Sequence, residues 1–404
     1  MQSIAIGSNQ AGQRLDKFLH KYLPNAGTGF LYKMLRKKNI TLNGKKAVGS
    51  ELLKEGDCVA VFFSQETFEK FSGRPAKAGT PKVPAGSPGA MTEALEGSFG
   101  NLGALADAPK GSSGGSEPLA EASKASERFP EKSPEGSERQ NFSGKANCGI
   151  AEYEKAYRSL KGIQTVYEDD HFLFLNKPAG ILTQKAKPKD SSLNEWMIGY
   201  LLQKDPRLAG ELYTFRPSVC NRLDRNTSGI VLCGKSLAGL QFLSQYVRER
   251  KVRKFYHTIC TGELAEAERI HGYLCKDEKT NKVSILNQKS GIEYKKDYIE
   301  TGYVPLAVKN GYTYLEVELI TGKTHQIRAH LASTGHPLIG DFKYGKDEVN
   351  RRLKREFGLS HQLLHAYRIV FPEITAGVGA ALSRQTFTTP EPELFGDIKT
   401  ALGL

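Results

Sequence analysis

The chain has 404 residues, 39 % of them hydrophobic and 25 % charged, with a formal net charge of +13. That length is too great for one ordinary domain, and the positive excess suits a polyanionic partner, although a soluble basic enzyme with no nucleic-acid role would carry the same sign. No apolar run approaches the ~20 residues of a membrane span, and the first residues lack a basic stretch followed by an apolar one, so a soluble, cytoplasmic protein with no membrane partner is expected.

In chain order, Leu15, Phe18, Leu19, Tyr22 and Leu23 fall on one face of a helix, and Phe30, Leu31, Met34 and Leu35 form the stripe of a second. Lys33, Arg36, Lys37 and Lys38 cluster at the end of that second helix. Ile40 and Leu42 alternate into Asn43-Gly44, a strong hairpin signal, and the turn Glu55-Gly56-Asp57 precedes a strand-like run at 58–63. Residues 1–65 carry ten Lys and Arg against four Asp and Glu, a net of +6. A solvated helix face explains such a run as readily as a nucleic-acid contact does.

Residues 66–150 are rich in Gly, Ser, Ala, Pro, Glu and Lys and bury too little apolar surface to offset chain entropy; a disordered tether is expected, with a transient helix at Met91–Leu95. Residues 151–404 read as the large folded domain. Strands are expected at Phe172–Leu175, Ile230–Leu232, Tyr256–Thr261 and Thr313–Ile320. Helices are expected near 236–250, capped by Ser236, and near 324–334, capped by Thr324. Strands outnumber helices without regular alternation, which points to an α+β fold with a mixed, mostly antiparallel sheet. The six cysteines form no C-x-x-C pair and sit near no His at zinc spacing, so neither a disulfide framework nor a metal site is expected.

Two segments could carry chemistry. Asn221-Arg222-Leu223-Asp224-Arg225-Asn226-Thr227-Ser228-Gly229 places Asp224 between arginines, ahead of a glycine that permits a sharp turn into a strand. A carboxylate among cations is favoured in its charged form and can act as a nucleophile, but a structural Arg–Asp pair fits the same spacing. Thr321-Gly322-Lys323-Thr324-His325-Gln326-Ile327-Arg328-Ala329-His330 opens a helix rich in donors, suited to an anion. His325 and His330 lie on different helix faces, so a shared metal is not expected and hydrogen-bonded structural roles are expected for both. Gly335-His336-Pro337-Leu338-Ile339-Gly340-Asp341 marks a defined loop.

Together these segments resemble the RluA family of pseudouridine synthases over roughly residues 160 to 375, and residues 1–65 resemble the S4 RNA-binding domain. The family elements occur in order: Asn176-Lys177-Pro178-Ala179-Gly180, the Arg-Leu-Asp loop, Lys254-Phe255-Tyr256, the Gly-Lys-Thr-His-Gln-Ile-Arg block and Leu364-His365-Ala366. The S4 likeness rests on Gln13-Arg14-Leu15-Asp16-Lys17-Phe18-Leu19, on Leu31 to Lys38 and on Ile40 to Gly44. The resemblance implies that Asp224 is the catalytic carboxylate, that Arg328 pairs with it, and that Tyr256 packs on the target base. It implies that Arg222 holds the RNA open, with Lys254, Arg14, Lys33, Arg36, Lys37 and Lys38 as further RNA contacts. It implies isomerisation of uridines in structured RNA, most readily ribosomal RNA; the oligomeric state stays open with a monomer as the default, and no cofactor is expected. The chain departs from the family at Asn221, where His is usual, and at Lys323, where Arg is common. A noncatalytic RNA-binding or ribosome-assembly factor on the same scaffold is the alternative, and a carboxylate glycosidase would need a second acid that nothing in the sequence flags.

Overall fold

The computed structural model describes residues 1–72, 145–276, 283–286 and 296–404. The tether expected at 66–150, with its helix at Met91–Leu95, lies outside these residues except at its two ends.

The N-terminal part runs β1 (Gln2–Ala5), α1 (Leu15–Tyr22), α2 (Thr28–Arg36), β2 (Ile40–Leu42), β3 (Lys45–Lys46), β4 (Cys58–Val61) and α3 (Gln65–Ser72). Its sheet has the order β1-β4-β2-β3 and is antiparallel throughout. The apolar faces read from the sequence meet here: Leu15, Phe18 and Leu19 of α1 pack with Leu31 and Leu35 of α2, Ile40 and Val59. Asn43 and Gly44 both adopt positive φ, as a tight hairpin turn requires. The Asn43 side chain then accepts from Cys58 N at 2.7 Å and donates to Asp57 at 2.8 Å, tying both turns together. The helix α3 crosses the boundary expected at residue 65. Its Phe68 is buried in this same core, which holds the helix to the folded part.

The larger part begins with α4 (Lys145–Ser159), a few residues ahead of the expected start at 151. It continues through β5 (Gln164–Glu168), β6 (Phe172–Lys177), α5 (Leu193–Lys204), α6 (Leu208–Glu211), β7 (Ser218–Val219), β8 (Ser228–Gly234), α7 (Leu237–Arg248) and β9 (Arg253–Thr261). Then follow β10 (Glu268–Lys276), β11 (Val283–Leu286), β12 (Lys296–Lys309), β13 (Tyr312–Leu319), α8 (Gln326–Ser333), α9 (Asp347–Phe357), β14 (Leu364–Val370), β15 (Thr386–Thr388) and α10 (Glu393–Leu402). The main path of the sheet is β11-β10-β12-β13-β9-β14-β8-β6-β5, with β7 on β8 and β15 on β14. Every pairing is antiparallel except β14 with β8, so the sheet is mixed and mostly antiparallel, as expected.

Alternation along the central strands explains the two cores. Val231 and Cys233 of β8, with Leu173 and Leu175 of β6, face α4, α5 and α8. Ile230, Leu232, Phe172 and Phe174 face the opposite side, against α7 and Phe371. Because both faces are covered, all seven residues of β8 are buried. Ser236 caps α7 as expected, its side chain accepting from Gly239 N at 3.0 Å. Two hydrogen bonds join the N-terminal part to the larger one: Asn9 to Glu211 at 2.6 Å and Gln10 to Thr214 at 3.0 Å.

The parallel junction of β8 and β14 is unusually close. A Cβ on Gly229 would lie 2.2 Å from the Ala366 carbonyl oxygen, and Gly229 has φ +112°, so only glycine fits. Beside it, Ser228 Oγ and His365 Nδ1 stand 2.8 Å apart in full burial. Burial pushes both His365 and His330 down to about 4, so the fold holds them neutral. Their folded values lie below the unfolded one, so their contribution is complete above pH ~6.5 and is lost as pH falls toward 4. Urea midpoints should therefore decline between pH 6.5 and 4, and His365→Gln should flatten that decline; a slope unchanged by the substitution would contradict this.

Candidate active site

A loop of residues 220–227 leads into β8, and its backbone is fixed on both sides of Asp224. Cys220 N donates to Leu232 O at 2.7 Å, and the Asn221 side chain accepts from Leu232 N at 2.7 Å. Asn221 therefore anchors the start of the loop to the strand, work that an amide does without a ring. The buried Thr183 hydroxyl donates to Leu223 O at 2.8 Å and accepts from Leu223 N at 3.2 Å, satisfying both backbone groups of that residue.

On the other side, the fully buried Lys177 donates to the carbonyls of Pro178, Ile181 and Arg225 at 2.9–3.0 Å. Burial pulls its ammonium down to about 7, with the charge of Asp224 opposing, and the three carbonyls solvate it in place of water. Thr227 N closes a turn onto Asp224 O at 3.1 Å. With its neighbours pinned, Asp224 has only its side chain to place.

That placement comes from α8. The helix begins at Gln326 rather than at the expected Thr324 cap. His325 occupies the N-cap position with φ 56° and makes no side-chain cap. The buried Gln326 side chain replaces the cap: its oxygen accepts from Thr321 Oγ1 at 2.9 Å and Lys323 N at 3.1 Å, and its amide donates to Glu300 O and Thr301 Oγ1, both at 3.0 Å. One turn on, Arg328 points at the loop. Its Nη1 donates to Asp224 Oδ2 at 3.1 Å, while Nε and Nη2 grip Asp341 at 2.7 and 2.9 Å.

Asp341 is fully buried and also accepts from the amides of Lys343 at 2.9 Å and Tyr344 at 3.1 Å. Burial would raise its carboxyl, but Arg328 and these amides outweigh that and hold it below the ordinary carboxylate value. Burial also works against the Arg328 charge, and Asp341 with Asp224 more than offsets it. The guanidinium is therefore a fixed cation shared by a buried carboxylate and a partly exposed one. Asp224 Oδ1 accepts no hydrogen bond among the described residues and is left for the cleft.

The cleft is about 770 Å³ and is lined by six cations, Arg222, Arg225, Lys254, Lys323, Arg328 and Lys343, against one carboxylate, Asp224. Such an excess favours a polyanion, and the volume suits a nucleotide-sized group. Tyr256 of β9 borders it. Burial, and then Asp224, push the Tyr256 hydroxyl upward, so it stays protonated. Lys254 is nearly buried at the rim, and its pKa is lowered by burial and by Arg250. Lys323, where the family commonly has Arg, pairs with Asp297 at 2.7 Å. Among the described residues no group of His, Cys, Asp and Glu could hold a metal ion, and no helix is long and apolar enough to cross a membrane. The five cysteines whose side chains are described are free.

Asp224, Arg328, Tyr256, Arg222 and Lys254 therefore share one cleft. Arg14 lies on the N-terminal part, where Asp16 holds its guanidinium at 3.1 and 2.8 Å. Lys33, Arg36, Lys37 and Lys38 are exposed on the N-terminal part and make no ion pair among the described residues. His330 is structural as expected, bonding Thr301 Oγ1 at 3.0 Å, whereas His325 borders the cleft 3.8 Å from Asp224. Sequence reasoning named Asp341 and Lys177 only within motifs, without a role, and did not reach Thr183. For Asp341 the signal was an acid placed after Ile339-Gly340 in an otherwise apolar loop.

The match with known proteins agrees with this geometry. Residues 171–333 match the RNA pseudouridylate synthase family model. A ribosomal large subunit pseudouridine synthase C of Vibrio cholerae is 27 % identical over 92 % of this chain and 89 % of its own length. Residues 171–333 thus carry the pattern of RNA pseudouridylate synthases, and the relatives that the chain resembles are ribosomal large subunit pseudouridine synthases. A synthase D of Borreliella burgdorferi is 30 % identical over 51 % of this chain, and a synthase C of Buchnera aphidicola is 32 % identical over 51 %. The chain spans 60 % and 62 % of the length of those two relatives.

The Arg328–Asp341 pair carries a sharp expectation. Asp341→Ala strands a buried guanidinium and should cost about 3–5 kcal/mol of stability, measurable by urea denaturation. A loss under about 1 kcal/mol, the range of an exposed ion pair, would show that the pair does not hold the site.

Proposed function

We propose that the protein converts specific uridines of large-subunit ribosomal RNA to pseudouridine, with Asp224 as the reacting carboxylate. The observation that carries this is a single carboxylate in a cleft of cations, one oxygen held by Arg328 and the other left open. The target nucleotide leaves its stack to reach the cleft, and Arg222 occupies the space it vacates. The uracil then lies against Tyr256, a stacking contact worth about 1–3 kcal/mol. Phosphates on either side meet Lys254, Arg225 and Lys343.

Asp224 Oδ1 faces C1′ of the ribose. It either forms an ester there as the N1–C1′ bond breaks or removes the C2′ proton to give a glycal. In both routes the detached uracil turns and C5 joins C1′, which displaces Asp224 from the ester or returns the C2′ proton to the glycal; C5 then loses its proton and N1 gains one. The reaction is redox-neutral, so the carboxylate and the fixed cations supply what it needs. A glycosidase would require a second carboxyl ~5–9 Å from the first, and among the described lining residues Asp224 stands alone; Asp341 is locked on Arg328.

We propose further that residues 1–72 serve as an S4-like anchor, with Lys33, Arg36, Lys37 and Lys38 on the RNA backbone. Their exposure, and the lack of an acidic partner among the described residues, support this.

Tritium release from 5-tritiated uridine in an unmodified ribosomal RNA transcript tests both readings. Asp224→Asn should abolish release while RNA affinity stays within about twofold, since the lost charge repels phosphate rather than binding it. Alanine at Lys33, Arg36, Lys37 and Lys38 should weaken affinity in a salt-dependent way and leave saturated turnover intact. Release by Asp224→Asn at the wild-type rate would rule out the mechanism, and absence of release by the wild-type protein would favour a noncatalytic RNA-binding factor.

A further inference from the structure

Among the described residues, six non-glycine residues occupy the left-handed backbone region, and of these only His325 lines the cleft. The conformation strains any side chain with a Cβ, and the same residue forfeits the cap that its position at the start of α8 normally supplies. Two local costs at a cleft residue call for a compensating role.

The surroundings enforce the strained form. On one side, the Thr321 hydroxyl and the Lys323 amide fix the Gln326 side chain, and Gln326 N donates to Lys323 O at 3.1 Å. On the other, the His325 carbonyl accepts from Ala329 N at 2.9 Å as the first helical turn. What the conformation achieves is direction. The imidazole Nε2 lies 3.8 Å from Asp224 Oδ2, the oxygen that Arg328 holds at 3.1 Å. Nδ1 lies 3.0 Å from the Tyr344 hydroxyl, which itself accepts from Val283 N at 3.0 Å. A hydroxyl already accepting from an amide can give its own proton to Nδ1, leaving the imidazole proton on Nε2, toward the carboxylate.

We infer that His325 is a positioning residue for Asp224: its imidazole and Arg328 flank the same carboxylate oxygen, and together they aim the other oxygen at the ribose. This rests on Asp224 being the reacting carboxylate. At 3.8 Å the contact is just beyond hydrogen-bond range, and contacts of this kind shorten when substrate fills the site. The groups facing the ring are Asp224, Arg328, Lys343, Asp341 and Tyr344. Burial pushes the imidazole below its ordinary range, Arg328 and Lys343 add to this, and the two carboxylates oppose it. A neutral ring with a proton on Nε2 is therefore the form that faces Asp224 near neutral pH.

The test uses the full chain with tritiated ribosomal RNA transcript, and wild type and Asp224→Asn as references. His325→Gly removes both ring and strain, since glycine accepts the left-handed region freely. It should keep or raise the melting temperature while kcat falls roughly 10- to 100-fold, the effect of a misdirected reacting group, with KM within about twofold because ground-state binding is untouched. His325→Gln carries an amide N–H close to where Nε2 sits and should recover most of the lost kcat. Wild-type kcat in His325→Gly would overturn the inference, as would a lower melting temperature with kcat intact. So would a His325→Gln variant no faster than His325→Gly. Failure of the wild-type protein to release tritium would instead overturn the reading of Asp224 itself, and the two failures are distinguishable.

Discussion

The guanidinium of Arg328 is shared between two carboxylates, Asp341 behind it and Asp224 in front, and the cleft is organised around that sharing. A buried arginine is costly unless its donors are matched, and the bidentate grip of Asp341 matches two of them. The remaining nitrogen then has a fixed direction and meets Asp224 Oδ2. Stability and chemistry draw on one arrangement. The pair that keeps α8 seated against the 340s loop also sets the direction of the Asp224 carboxylate. Asp224 can be partly exposed and still aligned, because the group that aligns it is buried.

The sheet brings these groups together from distant parts of the chain. Asp224 precedes β8, Tyr256 lies on β9, and Arg328 sits on α8 after β13. The strand β14 lies between β8 and β9, parallel to one and antiparallel to the other. Gly229 allows the close approach at the parallel seam, and Lys177 and Thr183 tie the loop above it to the turn after β6. Each of these three removes freedom from the loop that carries Asp224. Asn221 adds to the same bracing, because its amide oxygen accepts from Leu232 N.

Much of this was legible in the residues, and the exceptions have physical causes. Amphipathic helices with one buried stripe, such as α1 and α2, announced themselves by spacing. The helix α5 did not, because eight of its twelve residues are buried on several faces and no polar side breaks the pattern. The long strand β12 was hidden by Pro305 and the register shift that follows it. At the site, Asp224, Arg328 and Tyr256 emerged through a family pattern, whereas spacing alone could not separate a nucleophile from a structural ion pair. The roles of Asp341 and His325 stayed out of view for a different reason. Their roles depend on which atoms face one another across loops over a hundred residues from Asp224, and a left-handed backbone at His325 leaves no mark on hydrophobic periodicity.

The central claim is that Asp224 Oδ1 is aimed at the sugar of a flipped uridine by a fixed Arg328. Its most direct test is the structure of Asp224→Asn bound to a ribosomal RNA stem-loop that carries a uridine modified by the wild-type protein. The account predicts that uridine out of its stack, its base against Tyr256, and its C1′ within about 3.5 Å of the side chain at position 224, a near-attack separation. A uridine that remains stacked in the RNA, or one that enters the cleft with its ribose turned away from position 224, would contradict it.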